Sequence, residues 1–199
     1  MNPLNQIHPN WGTLFEKNRT KLKLQLKSLD HSTLTPRIGD IFKCYSVDPT
    51  TINACIIDQG PHISRKHATG YALEVPTGLT RQEFYIFQLT ASKYGINIDS
   101  LDPIRETVML LNADLTSKAG EQWAHDWRWF TTLTLEYIKK VNPTCQFIFL
   151  GGYAGTLNTF DGLKFAHPTA NARSMRELFN TSFFEKTEES VQWTKIYGI

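Results

Sequence analysis

Residues 54–61 of the chain read ACIIDQGP, in which four apolar residues run directly into an acid, an amide and a Gly-Pro pair. A short apolar run that ends in turn residues is typical of a buried strand that leads into a loop. The same form recurs at residues 71–75, 108–111 and 147–150. Helical patterns lie between the later runs, chiefly over residues 81–94 and 122–140. This alternation predicts an α/β protein with three layers, α/β/α, around a central, mostly parallel four-stranded sheet.

The length and composition favour a single globular unit. With 199 residues and 41% hydrophobic content, the chain is expected to form one domain over residues 1–199. The three cysteines are an odd number without a C-x-x-C pair, so we expect neither a disulfide framework nor a metal site. No run of eighteen apolar residues occurs, and the start Met-Asn-Pro does not resemble a signal peptide, which predicts a cytoplasmic protein without a membrane partner.

A basic helix is predicted near the N-terminus, over residues 11–29. Apolar residues recur there near helical spacing, with five Lys and Arg residues between them. Two interpretations are open: the basic side touches DNA, or it is an ordinary solvated face above a core. The net charge of only +2 does not by itself indicate a nucleic-acid partner, and it leaves the solvated face as the simpler interpretation.

Polar residues follow each predicted strand. Because ligands of parallel sheets gather at the carboxyl ends of the strands, the loops found there form the candidate site. These loops are residues 58–62, the residues after 75, residues 112–116, residues 151–154, and the His-Pro-Thr at 167–169. Taken singly, each has an ordinary explanation, since Asp, Asn and Pro are common turn residues.

The order and spacing of these loops carry more information than any one of them. The relevant segments are HPNW at 8–11, DQGPHI at 58–63, GYALEVP at 70–76, LLNADLT at 110–116, FLGGYA at 149–154 and HPT at 167–169. Over nearly its whole length the sequence therefore resembles the family 1 uracil-DNA glycosylases. The corresponding family motifs are H-P-S-W, G-Q-D-P-Y-H, G-L-x-F-S-V-P, L-L-N-A-x-L-T, L-W-G-x-x-A and H-P-S-P.

This resemblance implies a DNA glycosylase that takes a pyrimidine out of duplex or single-stranded DNA and hydrolyses its glycosidic bond without a metal or an organic cofactor. It implies that Asn112 hydrogen-bonds the pyrimidine edge and that the backbone of Gln59 approaches the base. It also implies that His167 stabilises negative charge on the base oxygen. Candidate DNA contacts flank these loops: Ser64, Arg65, Lys66, Gly152, Thr169, Asn171, Arg173 and Ser174.

The first motif departs from the family pattern. The catalytic Asp of the family falls on Gly60, which can neither orient the attacking water nor offset positive charge on the sugar. The Tyr beside the pyrimidine C5 position falls on His62, and the Phe that stacks on the base falls on Leu73. We expect these changes to reshape the pocket near C5. Asp58 and Asp114 are the carboxylates that could replace the missing one, although Asp58 also fits an ordinary turn.

Three interpretations remain open. In the first, Asp58 or Asp114 supplies the missing charge, and the enzyme acts on a modified, 5-substituted pyrimidine rather than only on uracil. In the second, catalysis is lost and the fold serves as a DNA-binding or protein-docking module, such as a replication accessory. In the third, only the scaffold is shared and the site binds something else. The presence of Asn112 and His167 favours the first, because a docking module needs neither.

Overall fold

A computed structural model of the chain describes residues 3–76, 78–79, 82–121, 125–157, 161–170 and 182–198. The strands in these ranges are β1 (Leu34–Thr35), β2 (Ala54–Asp58), β3 (Val108–Asn112), β4 (Ser117–Lys118), β5 (Gln146–Leu150) and β6 (Gly162–Phe165). The α-helices are α1 (Gly12–Lys17), α2 (Arg19–Ser28), α3 (Gln82–Ser92), α4 (Arg128–Val141), α5 (Gly151–Gly155), α6 (Phe183–Val191) and α7 (Trp193–Tyr197). Short 3-10 turns are Pro3–Gln6, Pro9–Trp11, Ile38–Asp40, Lys43–Ser46 and Asp102–Ile104.

The centre of the fold is a parallel sheet with the strand order β3-β2-β5-β6. Strands β1 and β4 pair antiparallel in a separate two-stranded ribbon. The prediction of an α/β protein built on a four-stranded, mostly parallel sheet is confirmed. All four carboxyl ends of the parallel strands lie along one edge of this sheet, which is the edge that the sequence selected as the candidate site.

Both faces of the sheet are buried, because side chains alternate between two hydrophobic cores. In β2, Cys55 and Ile57 join one core, while Ala54 and Ile56 join the other. The first core is completed by α1, α2 and α4, and the second by α3, α6 and α7. This arrangement explains why β2 has no polar residue before its last position, Asp58: each earlier side chain meets a helical layer rather than water.

The predicted strand over residues 71–75 is wrong. These residues lie beside β3, and the backbone N–H of Ala72 donates to the carbonyl of Leu110 at 3.1 Å, but no strand forms. Leu73 adopts φ +61°, in the left-handed region, which breaks the alternation of a strand. Strand β6 is the fourth strand instead.

The helix boundaries also differ from the predictions. The predicted helix over residues 11–29 is two helices, α1 and α2, separated at Asn18, whose side chain donates to the carbonyl of Leu14 at 2.9 Å. In the described part of the predicted helix over residues 122–140, which starts at residue 125, the helix begins at Arg128. Within the described residues, no helix is long and apolar enough to cross a membrane.

Candidate active site

Four strand ends place polar residues or glycines along the carboxyl edge of the sheet. Asp58 is the last residue of β2 and is paired in register with Asn112, the last residue of β3. Gly151 follows β5 directly, and His167 comes two residues after β6. Hydrogen bonds continue past the sheet, since the N–H of Ala113 donates to the carbonyl of Asp58 at 2.8 Å. The two neighbouring strand ends are therefore held rigidly side by side.

Asp58 and His167 are in direct contact. The His167 Nε2 atom lies 3.1 Å from Oδ1 of Asp58, and the side chains are 9% and 1% exposed. Strands β2 and β6 are not neighbours, because β5 lies between them. The two side chains therefore meet above the end of β5.

Gly151 packs tightly beside His167. It has φ +85°, and a Cβ atom placed on it would lie 3.0 Å from Nε2 of Gln59 and 3.1 Å from Cβ of His167. Both separations are shorter than ordinary van der Waals contact, which is about 3.5–4.0 Å. A residue without a side chain at this position lets Gln59 and His167 approach the end of β5.

Thr169 fixes the protonation of the His167 ring. The backbone N–H of Thr169 donates to Nδ1 of His167 at 3.2 Å, and the Thr169 hydroxyl lies 2.7 Å from the same atom. A ring nitrogen that accepts a hydrogen bond from a backbone N–H carries no proton, so the proton of the neutral ring is on Nε2. Nε2 therefore faces the Asp58 carboxylate at close range, although the two groups are not aligned as a hydrogen bond.

The Asp58 carboxylate has hydrogen-bonding capacity left over. Apart from the close approach of His167, neither of its buried oxygens has a hydrogen-bond partner among the described residues. A buried carboxylate without its full set of donors is costly, since its charge has been taken out of water. Such an oxygen can hold a water molecule or a cationic centre, which are the two things that hydrolysis at a sugar carbon requires.

Asn112 stands next to Asp58 and is 3% exposed. Among the residues that the structure describes, no hydrogen bond involves its side-chain amide. The amide can both donate and accept, and the adjacent carboxylate and imidazole complete a row of three polar groups. This row can read the hydrogen-bonding edge of a planar ring.

Asp114 serves a different purpose in the structure. Its Oδ1 accepts from the backbone N–H of Trp127 at 2.7 Å, and its Oδ2 accepts from the hydroxyl of Tyr153 at 2.5 Å. Burial raises the pKa of Asp114, while these two hydrogen bonds lower it to a smaller extent. The carboxylate thus ties the loop after β3 to the residue before α4 and to α5. Both of its oxygens are occupied, unlike those of Asp58.

The residues of the altered motif have well-defined surroundings. His62 accepts a hydrogen bond at Nδ1 from the N–H of Ser64 at 2.8 Å, and its ring centroid lies 4.8 Å from that of His67. Leu73 is fully buried in the second core. A Cβ atom on Gly60 would lie 3.7 Å from the carbonyl oxygen of Asp114, which is ordinary contact. A side chain at residue 60 is therefore sterically possible.

The candidate DNA contacts are only partly described. Arg65 and Lys66 are exposed, and Nη1 of Arg65 donates to the carbonyl of Ser32 at 2.8 Å. Ser64 and Thr169 are half-buried, and Gly152 is exposed. Asn171, Arg173 and Ser174 lie outside the described residues. Among the described residues, no cluster of three or more His, Cys, Asp or Glu side chains could hold a metal ion.

Sequence reasoning missed the roles of Gly151, Thr169 and Tyr153 in building the site. The sequence indicates Gly151 only as a residue of a strand-end loop and Thr169 only as a candidate DNA contact. The Gly-Gly pair after β5 is the available signal for a close approach, since glycine is the residue that permits one. No pattern predicts the bond between Tyr153 and Asp114, because it joins a helix and a loop that are far apart in the sequence.

Comparisons with known proteins give one consistent result. No family model matches the sequence. Uracil-DNA glycosylase from Porphyromonas gingivalis is 31% identical over 166 residues, which cover 75% of this chain and 75% of that protein. Uracil-DNA glycosylase from Oceanobacillus iheyensis is 24% identical over 220 residues and covers 96% of both.

Solved structures agree at the level of the fold. The crystal structure of mimivirus uracil-DNA glycosylase superposes with a TM-score of 0.68 at 19% identity, and the match covers 86% of this chain and 72% of that chain. The wild-type structure from Nitratifractor salsuginis gives a TM-score of 0.65 at 16% identity, with 96% and 91% covered.

Proposed function

The chain belongs to the uracil-DNA glycosylase superfamily, and from this premise we propose that it hydrolyses the N-glycosidic bond of a pyrimidine flipped out of DNA. The observation that carries this proposal is the buried contact between Asp58 and His167, next to the amide of Asn112. A water-orienting carboxylate, a donor for the leaving base and a group that reads the base edge are the parts that this reaction requires.

In the proposed mechanism, Asp58 replaces the carboxylate that is missing at Gly60. One oxygen of Asp58 lies against Nε2 of His167, and the other orients a water molecule toward the sugar C1′ atom. The negative charge of Asp58 also offsets the positive charge that grows on the sugar as the glycosidic bond breaks. The bonding electron pair leaves with the base, the water oxygen bonds to C1′, and one water proton passes to Asp58.

His167 is proposed to respond to that proton transfer. A protonated Asp58 is a weaker hydrogen-bond acceptor than a carboxylate, so the N–H at Nε2 becomes available to the base oxygen on which negative charge develops. One donor of this kind stabilises a transition state by about 3 kcal/mol. Release of the proton from Asp58 to the departing base restores the starting state. Asn112 holds the base edge throughout.

We propose a 5-substituted pyrimidine as the substrate, rather than only uracil. The resemblance places a tyrosine and a phenylalanine where this chain has His62 and Leu73. The His62 ring is held by Ser64 and lies beside His67, and Leu73 packs into the core, so neither residue supplies the phenol or phenyl ring of the family pattern. Space beside the C5 atom is the expected consequence.

Excision assays test the proposal. Oligonucleotides carrying uracil, 5-hydroxymethyluracil or a glycosylated pyrimidine are incubated with the protein, and abasic sites are then cleaved with alkali. We expect product, with a higher rate on a 5-substituted base than on uracil. Asp58→Asn and His167→Ala should each lower the rate by at least about 100-fold, from loss of acid–base and electrostatic catalysis. Asp99→Asn, a change of an exposed acid, is the matched control and should retain the parent rate.

A non-catalytic module is the second candidate, and the observation that favours it is the glycine at residue 60. Gly60→Asp separates the two candidates, because a Cβ atom fits there without a clash. If the parent excises nothing on any of these substrates and Gly60→Asp excises uracil, the chain is a decayed glycosylase. If the parent is active and Asp58→Asn retains its rate, the mechanism through Asp58 is wrong.

A further inference from the structure

The positive charge of the protein is concentrated in one short segment. Residues 17–27 contain five of the 21 basic residues and no acidic residue. The remainder of the chain holds sixteen basic residues against nineteen acidic ones, so it is net negative although the whole chain is +2. A local field of this kind attracts a polyanion even when the total charge is small.

Helix α2, which carries most of this charge, is fastened beside the candidate active site. The Nζ atom of Lys21 lies 3.7 Å from the ring centroid of Trp129, and Nε1 of Trp129 donates to Oε1 of Gln25 at 2.7 Å. Nε2 of Gln25 in turn donates to the carbonyl of Asp126 at 2.9 Å. The next residue, Trp127, is the one bound by Asp114 in the loop after β3. A short chain of contacts thus connects α2 to the edge of the sheet where Asp58 lies.

Two other lysines of α2 make no contact of this kind with the described residues. Lys23 and Lys27 are exposed, are four residues apart and therefore lie on one side of the helix, about 6 Å apart along its axis. Among the described residues, neither has a carboxylate partner. Like charges at this spacing destabilise a helix by about 0.2–0.5 kcal/mol, so the pair is explained better by an external anion than by helix stability.

The C-terminal end of α2 lies close to the altered motif, while Lys23 and Lys27 project from the side of the helix opposite Lys21 and Gln25. The turn after α2 contains Ser32, whose carbonyl accepts from Nη1 of Arg65 at 2.8 Å, and Lys66 beside it is exposed. We propose that Lys23, Lys27, Arg65 and Lys66 form a phosphate-binding strip for DNA outside the flipped nucleotide. The strip lengthens the bound stretch of DNA on the α2 side of the active site. This inference rests on the proposed function, because it assumes DNA as the substrate.

DNA binding as a function of salt tests the strip. Fluorescence anisotropy would measure affinity for labelled duplexes of about 10 and about 30 base pairs over a range of salt concentrations, for the parent and for Lys23→Gln/Lys27→Gln. Each phosphate contact contributes about 0.9 to the slope of log K against log salt. We expect the double variant to lose about two units of slope and at least tenfold in affinity on the long duplex. The short duplex should change less.

Lys139→Gln/Lys140→Gln is the matched control. It removes the same charge from exposed positions at the C-terminal end of α4, away from the candidate site. We expect its slope and affinity to equal those of the parent. Equal slopes for the parent and for Lys23→Gln/Lys27→Gln would show that these lysines do not contact DNA phosphates. An acidic protein partner would then be the alternative ligand for them. Excision is a separate measurement, so a parent that binds with the expected slope but releases no base contradicts the proposed function and not the strip.

Discussion

Replacement of Gly151 by alanine is the sharpest perturbation that the structure offers, because one methyl group would crowd Gln59 and His167 at the same time. The loss of folding stability has two contributions. A side chain at φ +85° costs about 1–2 kcal/mol, since only glycine adopts left-handed conformations freely. Pushing well-packed neighbours aside costs about 1–3 kcal/mol more. We therefore expect Gly151→Ala to lower the free energy of unfolding by about 2–4 kcal/mol.

The effect on catalysis follows from the distances. The new Cβ would lie 3.1 Å from Cβ of His167, and a normal separation of about 3.6 Å requires His167 to retreat by about 0.5 Å. If His167 moves away from Asp58, the separation of Nε2 and Oδ1 grows from 3.1 Å to about 3.6 Å, which is too long for a hydrogen bond to form between them. Small displacements of catalytic groups reduce rates strongly, and we expect a loss of about 10- to 100-fold in kcat/KM.

Urea unfolding followed by tryptophan fluorescence gives the stability, and excision of the preferred base gives kcat/KM. Gly152→Ala is the control, because nothing lies within 4 Å of a Cβ atom there, and it should change stability by less than about 0.5 kcal/mol. A Gly151→Ala protein as stable and as active as Gly152→Ala would refute the idea that the glycine at residue 151 sets the position of His167.

Two further predictions concern buried acids. The pKa of Asp114 is raised by burial, so the folded protein keeps this proton at a pH at which the unfolded chain, with a value near 3.8, has lost it. The stability of the parent relative to Asp114→Asn should therefore rise as pH falls from about 7 toward about 4, and urea midpoints that differ by a constant amount across this range would contradict this reasoning. Glu74 is ion-paired with Arg105 and its side chain is only 8% exposed, whereas Arg105 is 30% exposed and has a second partner in Asp102 at 2.5 Å. Arg105→Gln should thus cost about 3 kcal/mol and Glu74→Gln about 1–2 kcal/mol, because an unpaired buried carboxylate is worse than a partly solvated guanidinium with a partner. Chemical unfolding of both variants shows which of them loses more stability, and a larger loss for Glu74→Gln would contradict this reasoning.

The positions of the main strands were predictable because burial on both faces leaves a clear signal. Four apolar residues that end at an acid identify β2, and the same form identifies β3 and β5. Residues 71–75 have equally apolar character but are not a strand, since the left-handed turn at Leu73 depends on how this segment packs against β3. Strand β6 has a weaker pattern because its residues are only partly buried, whereas those of β3 at the other edge of the sheet are buried throughout.

The residues of the candidate site were predictable, but their arrangement was not. The sequence selected Asp58, Asn112 and His167 as strand-end residues, and the resemblance gave them possible roles. The contact between Asp58 and His167 depends on the strand order, which places β5 and its glycine between them. The position of the ring proton depends on the turn at Thr169, which a sequence pattern does not specify. The occupied oxygens of Asp114 likewise result from three loops that meet only in the folded chain.

The glycine beside His167 has an evolutionary consequence. A Cβ atom at residue 151 would crowd both Gln59 and His167, so relatives with the same histidine are expected to keep glycine at this position. The family motif L-W-G-x-x-A has glycine there together with an acid at the position of Gly60. The glycine therefore belongs with the histidine, whichever of the two positions carries the carboxylate.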